Sequence, residues 1–295
     1  MKNIIDLHTH SVMSDGSDKP LEIIKLASEN NIKAIALTDH DSIEGNNEAE
    51  SEAKKRNIDF LPGIEISAKY DEKRLVHILG LGIDLNNKKF LEVYNNIKKA
   101  REESVSNILK ILKTKGIDIS YNVLRERCIK KYLDRYDVYN YFLTEKICTK
   151  PQEIWDKYLD PIPYGPDELM DVRKAIEIIR EANGLSFLSH YNKKIGFSGY
   201  SNNEIEDKVV ELINYGLDGL EEYYSDFTEE NRVFAKNIID KYNLLSSGGT
   251  DYHGKNRIDI ELGKGYKNLD VPYEVFEKIK KTLENRKTKI YSINF

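Results

Sequence analysis

Histidine is scarce in this 295-residue chain, and all six copies stand beside acidic residues or inside apolar runs. His8 and His10 lie one residue apart in "DLHTHSVMSDGS", residues 6–17, with Asp15 and Gly16 close behind. His40 sits in "LTDHDSIEG", Glu65 in "GIEIS", His77 in "VHILGLGID" and His190 in "FLSH". Glu221 closes "GLDGLE", and Asp251 and His253 share "GGTDYHG". Imidazole nitrogens mixed with carboxylate oxygens, and no thiolates, make a donor set suited to Zn, Mn or Fe rather than Ca or Mg. Residues two apart on an extended strand face the same side, roughly 6.6 Å apart. His8 and His10 can therefore close on one cation. Taken singly, each has an ordinary alternative: a lone His77 on an apolar strand is usually a core residue, and H-x-H is a weak motif. The joint placement carries the signal, because random placement would have put some histidines into the helical segments.

Those residues need a scaffold that brings them together. Short apolar runs at 3–8, 34–37, 59–64, 75–81, 185–188, 217–220 and 244–247 read as strands. Amphipathic helical patterns separate several of them, at 20–30, 45–56, 167–182, 203–215 and 228–242. Pro20 marks one helix start, and Thr228 followed by two glutamates marks another. Strands separated by helices imply βα units and a parallel sheet. Seven strands without a Gly-rich phosphate loop suggest an α/β barrel, in which strand C-termini converge on one face. His8, His10, His40, Glu65, His190, Glu221, Asp251 and His253 all follow strands, so they are expected around one mouth. Gly16, Gly63 and Gly248–Gly249 are expected to turn the backbone beside the acidic ligands. Asp39 is expected to accept a hydrogen bond from a ligating imidazole.

Residues 87–166 interrupt the rhythm with helical patterns and no convincing strand. This stretch carries sixteen Lys/Arg against eleven Asp/Glu, while the whole chain has a net charge of −5. It also holds eight of the nineteen tyrosines, four of them in "YLDRYDVYNY". A basic, aromatic insertion fits either a packed cap or a lid that attracts an anion and stacks on a ring. The expected organisation is one barrel, residues 1–86 and 167–295, with a helical insertion at 87–166. Cys128 and Cys148 form no C-x-x-C pair, which argues against a disulfide framework or a thiolate zinc site. No signal-like or membrane-spanning run stands out, so a cytoplasmic location is expected. Stable binding to duplex nucleic acid is not expected.

Together these stretches resemble the PHP family, the polymerase and histidinol phosphatase superfamily of metal-dependent phosphoesterases. The likeness is greatest to the branch that contains nucleoside 3',5'-bisphosphate phosphatases and 5'-to-3' exonucleases acting on short RNA. It implies a distorted seven-stranded (β/α) barrel and three divalent cations per chain, Mn, Zn or Fe. His8, His10, Glu65 and Asp251 would hold the first cation. Glu65, His77 and His190 would hold the second, and Asp15, His40 and His253 the third. Asp251, Glu65 and His190 would then be the catalytic residues. Closely spaced cations would ionise a bridging water and neutralise the phosphoryl oxygens, so no Ser or Cys nucleophile is needed.

The likeness thins at the periphery. The branch carries an R-P-H-x-A-R-like stretch in its insertion, where this chain has "RYDVYN". Arg135 is kept, but Asp137 stands at the histidine and Asn140 at the second arginine. Ser225, Phe227 and Tyr191 also depart from the branch. Arg135 is expected to contact phosphate, with Tyr136 or Tyr139 stacking on a base. The expected substrate is a nucleotide or short oligonucleotide. A histidinol-phosphatase-like enzyme for small monoesters and a catalytically weak metal-binding regulatory module are the alternatives.

Overall fold

The computed structural model describes residues 4–165 and 167–293. Three parallel strands open the fold: β1 (Ile4–Asp6), β2 (Ile32–Leu37) and β3 (Asp59–Lys69). Helices α1 (Pro20–Glu29) and α2 (Asn46–Lys55) are their crossovers. β4 (Leu75–Leu81) then runs antiparallel to β3, with Gly63 opposite Leu81 and Lys69 opposite Leu75. The second half continues through α7 (Val172–Glu181), β6 (Leu185–Leu188), α8 (Asn202–Tyr215), β7 (Gly219–Tyr224), α9 (Glu229–Tyr242) and β8 (Leu245–Gly249). β6, β7 and β8 are mutually parallel, and β6 pairs antiparallel with β4.

The α/β class is as expected, with two differences in the sheet. Among the described residues it has eight strands, because the short β5 (Met170–Asp171) pairs with β3 beside the main order β1-β2-β3-β4-β6-β7-β8. And β4 is reversed. Only residues 70–74 separate it from β3, closed by Tyr70 N donating to Arg74 O at 2.9 Å. So short a link makes a hairpin, whereas a parallel partner needs a crossover of a dozen residues or more. The hairpin also extends β3 past Glu65, which lies inside the strand rather than after it.

The regular ladder is open between β8 and β1, and backbone bonds just beyond the strand ends join the two. Leu7 N donates to Gly248 O at 3.0 Å, Asp251 N to His8 O at 2.9 Å and His10 N to Tyr252 O at 2.9 Å. The buried Asp6 carboxylate reinforces the seam by accepting from Thr250 N, Thr250 Oγ1 and Gly263 N. Two glycines are required here by close approach rather than by turn geometry. A Cβ on Gly249 would lie 2.4 Å from His8 N, and one on Gly16 2.3 Å from His10 O.

Helices pack where their apolar stripes dictate. α7 buries Val172, Ala175, Ile176 and Ile179, one face at helical spacing, against Ile64, Ile66 and Ile78 of the sheet. A last helix, α10 (Tyr273–Ile293), has no counterpart in the sequence reading; its Phe276 and Ile279 join Ile5, Leu79 and Phe187 in a second core.

Between β4 and β5 stand α3 (Lys88–Thr114), α4 (Tyr121–Arg127), α5 (Arg135–Thr144), α6 (Pro151–Ile154) and a π-helical turn at Trp155–Leu159. They share an apolar core that includes Val105, Leu112, Val138, Phe142 and Ile154. Among the described residues, no helix is long and apolar enough to cross a membrane.

Candidate metal centre

Every histidine lies outside the helices, and the sheet gathers all six. His8 and His10 follow β1, with ring centroids 5.1 Å apart. His8 Nε2 lies 3.2 Å and His10 Nε2 3.3 Å from Glu65 Oε2, and Asp251 Oδ1 stands 3.5 and 3.1 Å from the same two nitrogens. These four residues form one buried group able to hold a cation. His10, Asp15, His40 and His253 form a second, with His253 Nε2 at 3.2 Å from Asp15 Oδ1. His40, Glu65 and His77 form a third, with Glu65 Oε1 at 3.2 Å from His77 Nδ1 and 3.1 Å from His190 Nε2. Glu65 therefore stands at the centre. His40 Nδ1 approaches it at 3.0 Å, closer than the 3.9 Å from His40 Nε2 to Asp15.

The backbone carries strain at this place. Asp41, His190 and Asp251 have φ of +48°, +23° and +57°, a region side-chain-bearing residues seldom occupy.

The test of whether cations belong here lies in the donor atoms. His8 Nε2, both ring nitrogens of His10, Asp15 Oδ1, His40 Nδ1, Glu65 Oε2 and His190 Nδ1 are buried and have no hydrogen-bond partner. Buried polar atoms are normally satisfied, and an unpaired one costs about 1–3 kcal/mol. A cluster of such atoms converging within a few ångströms fits bound cations well.

The electrostatics agree. Burial alone would raise the carboxyl groups, but the imidazoles of His8, His77 and His40 hold Glu65 well below its usual range. His253 and His8 do the same for Asp251, and His253 and His40 for Asp15. In return, burial would lower His40, but Glu65 and Asp15 push it up to about 10. The field in the pocket thus favours positive charge. His77 is pushed down to about 4, by burial and then against Glu65 by His40 and His190, so it is neutral and ready to ligate.

Some partners escaped the sequence reading. Glu221 accepts from His8 Nδ1 at 2.9 Å and from His190 N at 2.8 Å, fixing the ring so that Nε2 faces the pocket. It was expected to follow a strand but lies inside β7, and its orienting task was not visible in the sequence. Tyr224 donates to Asp251 Oδ2 at 2.9 Å. Arg257, on the 3-10 turn after His253, donates to Tyr266 Oη at 2.8 Å on the rim. Asp39 does not reach an imidazole: it accepts from Ser11 N, Ser11 Oγ and Ser14 Oγ, and so shapes the loop before Asp15.

The substrate-side residues stand differently. Tyr136 stacks on His40 at 5.3 Å with the rings 5° from parallel, and Tyr139 stacks on Trp155 at 5.2 Å. Both are buried and in ring contact with Trp155, so neither offers a face to a base in this arrangement. Arg135 is buried too, with Nη1 donating to Leu159 O at 2.5 Å and Ile162 O at 2.8 Å, and its guanidinium 4.0 Å from the Tyr164 ring. Its Nε and Nη2, however, have no partner. Asn140 Nδ2 donates to Ser14 O at 2.8 Å, tying α5 to the Asp15 loop.

A model of the PHP domain matches residues 6–161. A 5'-3' exoribonuclease of Haemophilus influenzae is 29% identical over 92% of this chain and 98% of its own length. A 3',5'-nucleoside bisphosphate phosphatase of Chromobacterium violaceum is 28% identical over 88% of this chain and 90% of its own. A crystal structure from Bifidobacterium adolescentis, assigned as a metal-dependent phosphoesterase, superposes with a TM-score of 0.82 at 22% identity, covering 95% of this chain and 96% of that one.

Proposed function

This chain belongs to the PHP domain family of metal-dependent phosphoesterases, and from that premise we propose that it hydrolyses phosphate esters of nucleotides or short oligonucleotides at the Glu65-centred cluster. The observation that carries the reading is the set of buried donor atoms without partners around Glu65. His8, His10, Glu65 and Asp251 would hold one cation, Glu65, His77 and His190 a second, and Asp15, His40 and His253 a third. Divalent cations bound there supply Lewis acidity toward a phosphoryl group and a water that ionises near neutral pH. Mn, Zn and Fe all suit the donors.

The chain's own residues do the remaining work. Glu221 fixes His8 and the His190 backbone, and Tyr224 holds one oxygen of Asp251 so that the other faces the pocket. Arg135 Nη1 is anchored by two carbonyls, and its Nε and Nη2 have no hydrogen-bond partner but are buried, so they would meet phosphate oxygens only if the surrounding helices shift. The relatives acting on nucleotides and RNA support the substrate class. The burial of Tyr136 and Tyr139 favours a second reading, a small phosphomonoester that needs no stacking surface. A cytoplasmic location is part of the same proposal.

Turnover of Mn²⁺-loaded protein on adenosine 3',5'-bisphosphate, a 5'-phosphorylated RNA trimer and histidinol phosphate tests the reading. The nucleotides should exceed histidinol phosphate in kcat/KM by tenfold or more. A preference for histidinol phosphate installs the second reading, and turnover of none of them removes both.

A further inference from the structure

One buried ion pair lies beside the cluster without belonging to it. Arg101, in the middle of α3, places Nη1 2.6 Å from Asp41 Oδ2, with both side chains at 6–7% exposure. Asp41 directly follows His40. Its other oxygen accepts from Ser67 N at 2.9 Å, and its own N–H donates to Glu65 O at 2.8 Å. The residue is held at φ +48°, where a side chain is disfavoured. Arg101 Nε donates in a different direction, to Glu168 O at 2.8 Å. Tyr136 of α5 lies flat on the His40 ring. Two helices of the insertion thus grip the one loop that carries His40, and His40 contributes to two of the three cation-holding groups.

We propose that Arg101 is a positioning residue for the metal centre: through Asp41 it locks the His40 loop against β3, so that docking of the helical insertion and completion of the His40 groups are a single event. A buried ion pair is a poor device for stability alone, since its desolvation roughly cancels its attraction and an apolar pair of similar volume often does as well. The pair makes sense where it fixes a conformation. Asp41 in its left-handed backbone needs both carboxylate oxygens held, and only a planar fork can grip Asp41 and the Glu168 carbonyl at once. Burial would lower Arg101, but Asp41, Tyr164 and Tyr136 together push it higher still, so its charge is permanent.

The inference rests on the metal reading of the site, and the test separates the two. Bound Mn²⁺ is counted by equilibrium dialysis with elemental analysis, with circular dichroism and thermal unfolding as controls. Arg101→Met should weaken the loosest bound ion at least tenfold while the ion held by His8, His10, Glu65 and Asp251 remains. Arg101→Lys should recover only part of the loss. Because Arg101→Met leaves Asp41 buried and unpaired, the double variant Arg101→Met/Asp41→Asn is the safer fold: it should unfold within a few degrees of the wild type yet show the same loss of metal. The two single changes should not add, since they break one device. Wild-type affinity for every ion in the folded double variant overturns the inference and leaves the metal reading standing. A wild-type protein that binds at most one ion overturns the metal reading, and this inference with it.

Discussion

The mouth of the sheet and the core shared by helices α3–α6 both bury charge, and they offset its cost in opposite ways. In the insertion, Lys98 and Lys130 meet the Asp134 carboxylate at 2.5 and 3.0 Å, and Lys130 reaches Asp137 at 3.1 Å. Asp134 also caps α5 by accepting from Tyr136 N at 3.0 Å. Around Asp134, cations and anions are matched within the chain. At the mouth, Asp15, Glu65 and Asp251 face imidazoles, and many of the ligand atoms have no hydrogen-bond partner. Positive charge there must come from protons on histidine or from outside the chain. Charge pairing complete in the fold marks structure, and pairing left incomplete around a converging donor set marks a place where something binds.

The largest expected effect tests the insertion. Asp134→Asn removes the shared anion and leaves Lys98 and Lys130 buried against a neutral amide. Breaking a buried pair in this way costs about 3–5 kcal/mol. Burial alone would raise the Asp134 carboxyl, but Lys130 and Lys98 hold it well below the usual range. A carboxyl with a depressed folded value contributes stability that is complete above about pH 4 and fades as pH falls through that value. The stability gap between wild type and variant in urea melts should therefore be widest at pH 5–8 and shrink in strong acid. A gap that is constant with pH would mean that the lysines, not the carboxylate, set the cost.

At the mouth, Asp251→Asn keeps the shape and removes a charge that the surrounding imidazoles hold in place. Turnover should drop at least a hundredfold, about 3 kcal/mol of transition-state stabilisation, with unfolding little changed. A large loss of stability with turnover intact would put Asp251 in the same class as Asp134 and erase the contrast. The smallest effect belongs to Arg135, which is tied to Leu159 and Ile162 of the helical segment. Arg135→Ala should raise KM for a nucleotide about tenfold, near 1.4 kcal/mol, and leave metal content unchanged. Arg135→Lys should restore only part of that, because a point charge does not reproduce the fork. An unchanged KM would make Arg135 a purely structural tie to Leu159 and Ile162.

Much of the mouth was legible in the sequence because strand ends and histidines coincide, and a parallel α/β layout sends strand ends to one face. His8, His10, Asp15, His40, Glu65, His77, His190, Asp251 and His253 all meet within it. What the sequence hid were directions. The β3–β4 hairpin reverses a strand because a five-residue link allows nothing else, yet "SAKYDEKRL" carries no strong turn signature. Glu221 and Asp39 are both acids near ligands, and only geometry tells that the first orients His8 while the second holds serines. Tyr136 and Tyr139 looked available because tyrosine is amphipathic, and their burial depends on how α5 docks. α10 was missed because its stripe is spaced among many charged residues, and its apolar face gains meaning only against the sheet.

The donor atoms around Glu65 are expected to hold a cluster of cations. Elemental analysis of Mn²⁺-loaded, desalted protein measures it directly, with the Asp251→Asn variant in parallel. Three bound ions per chain are expected in the wild type and fewer in the variant. A wild-type chain that never retains more than one would contradict it.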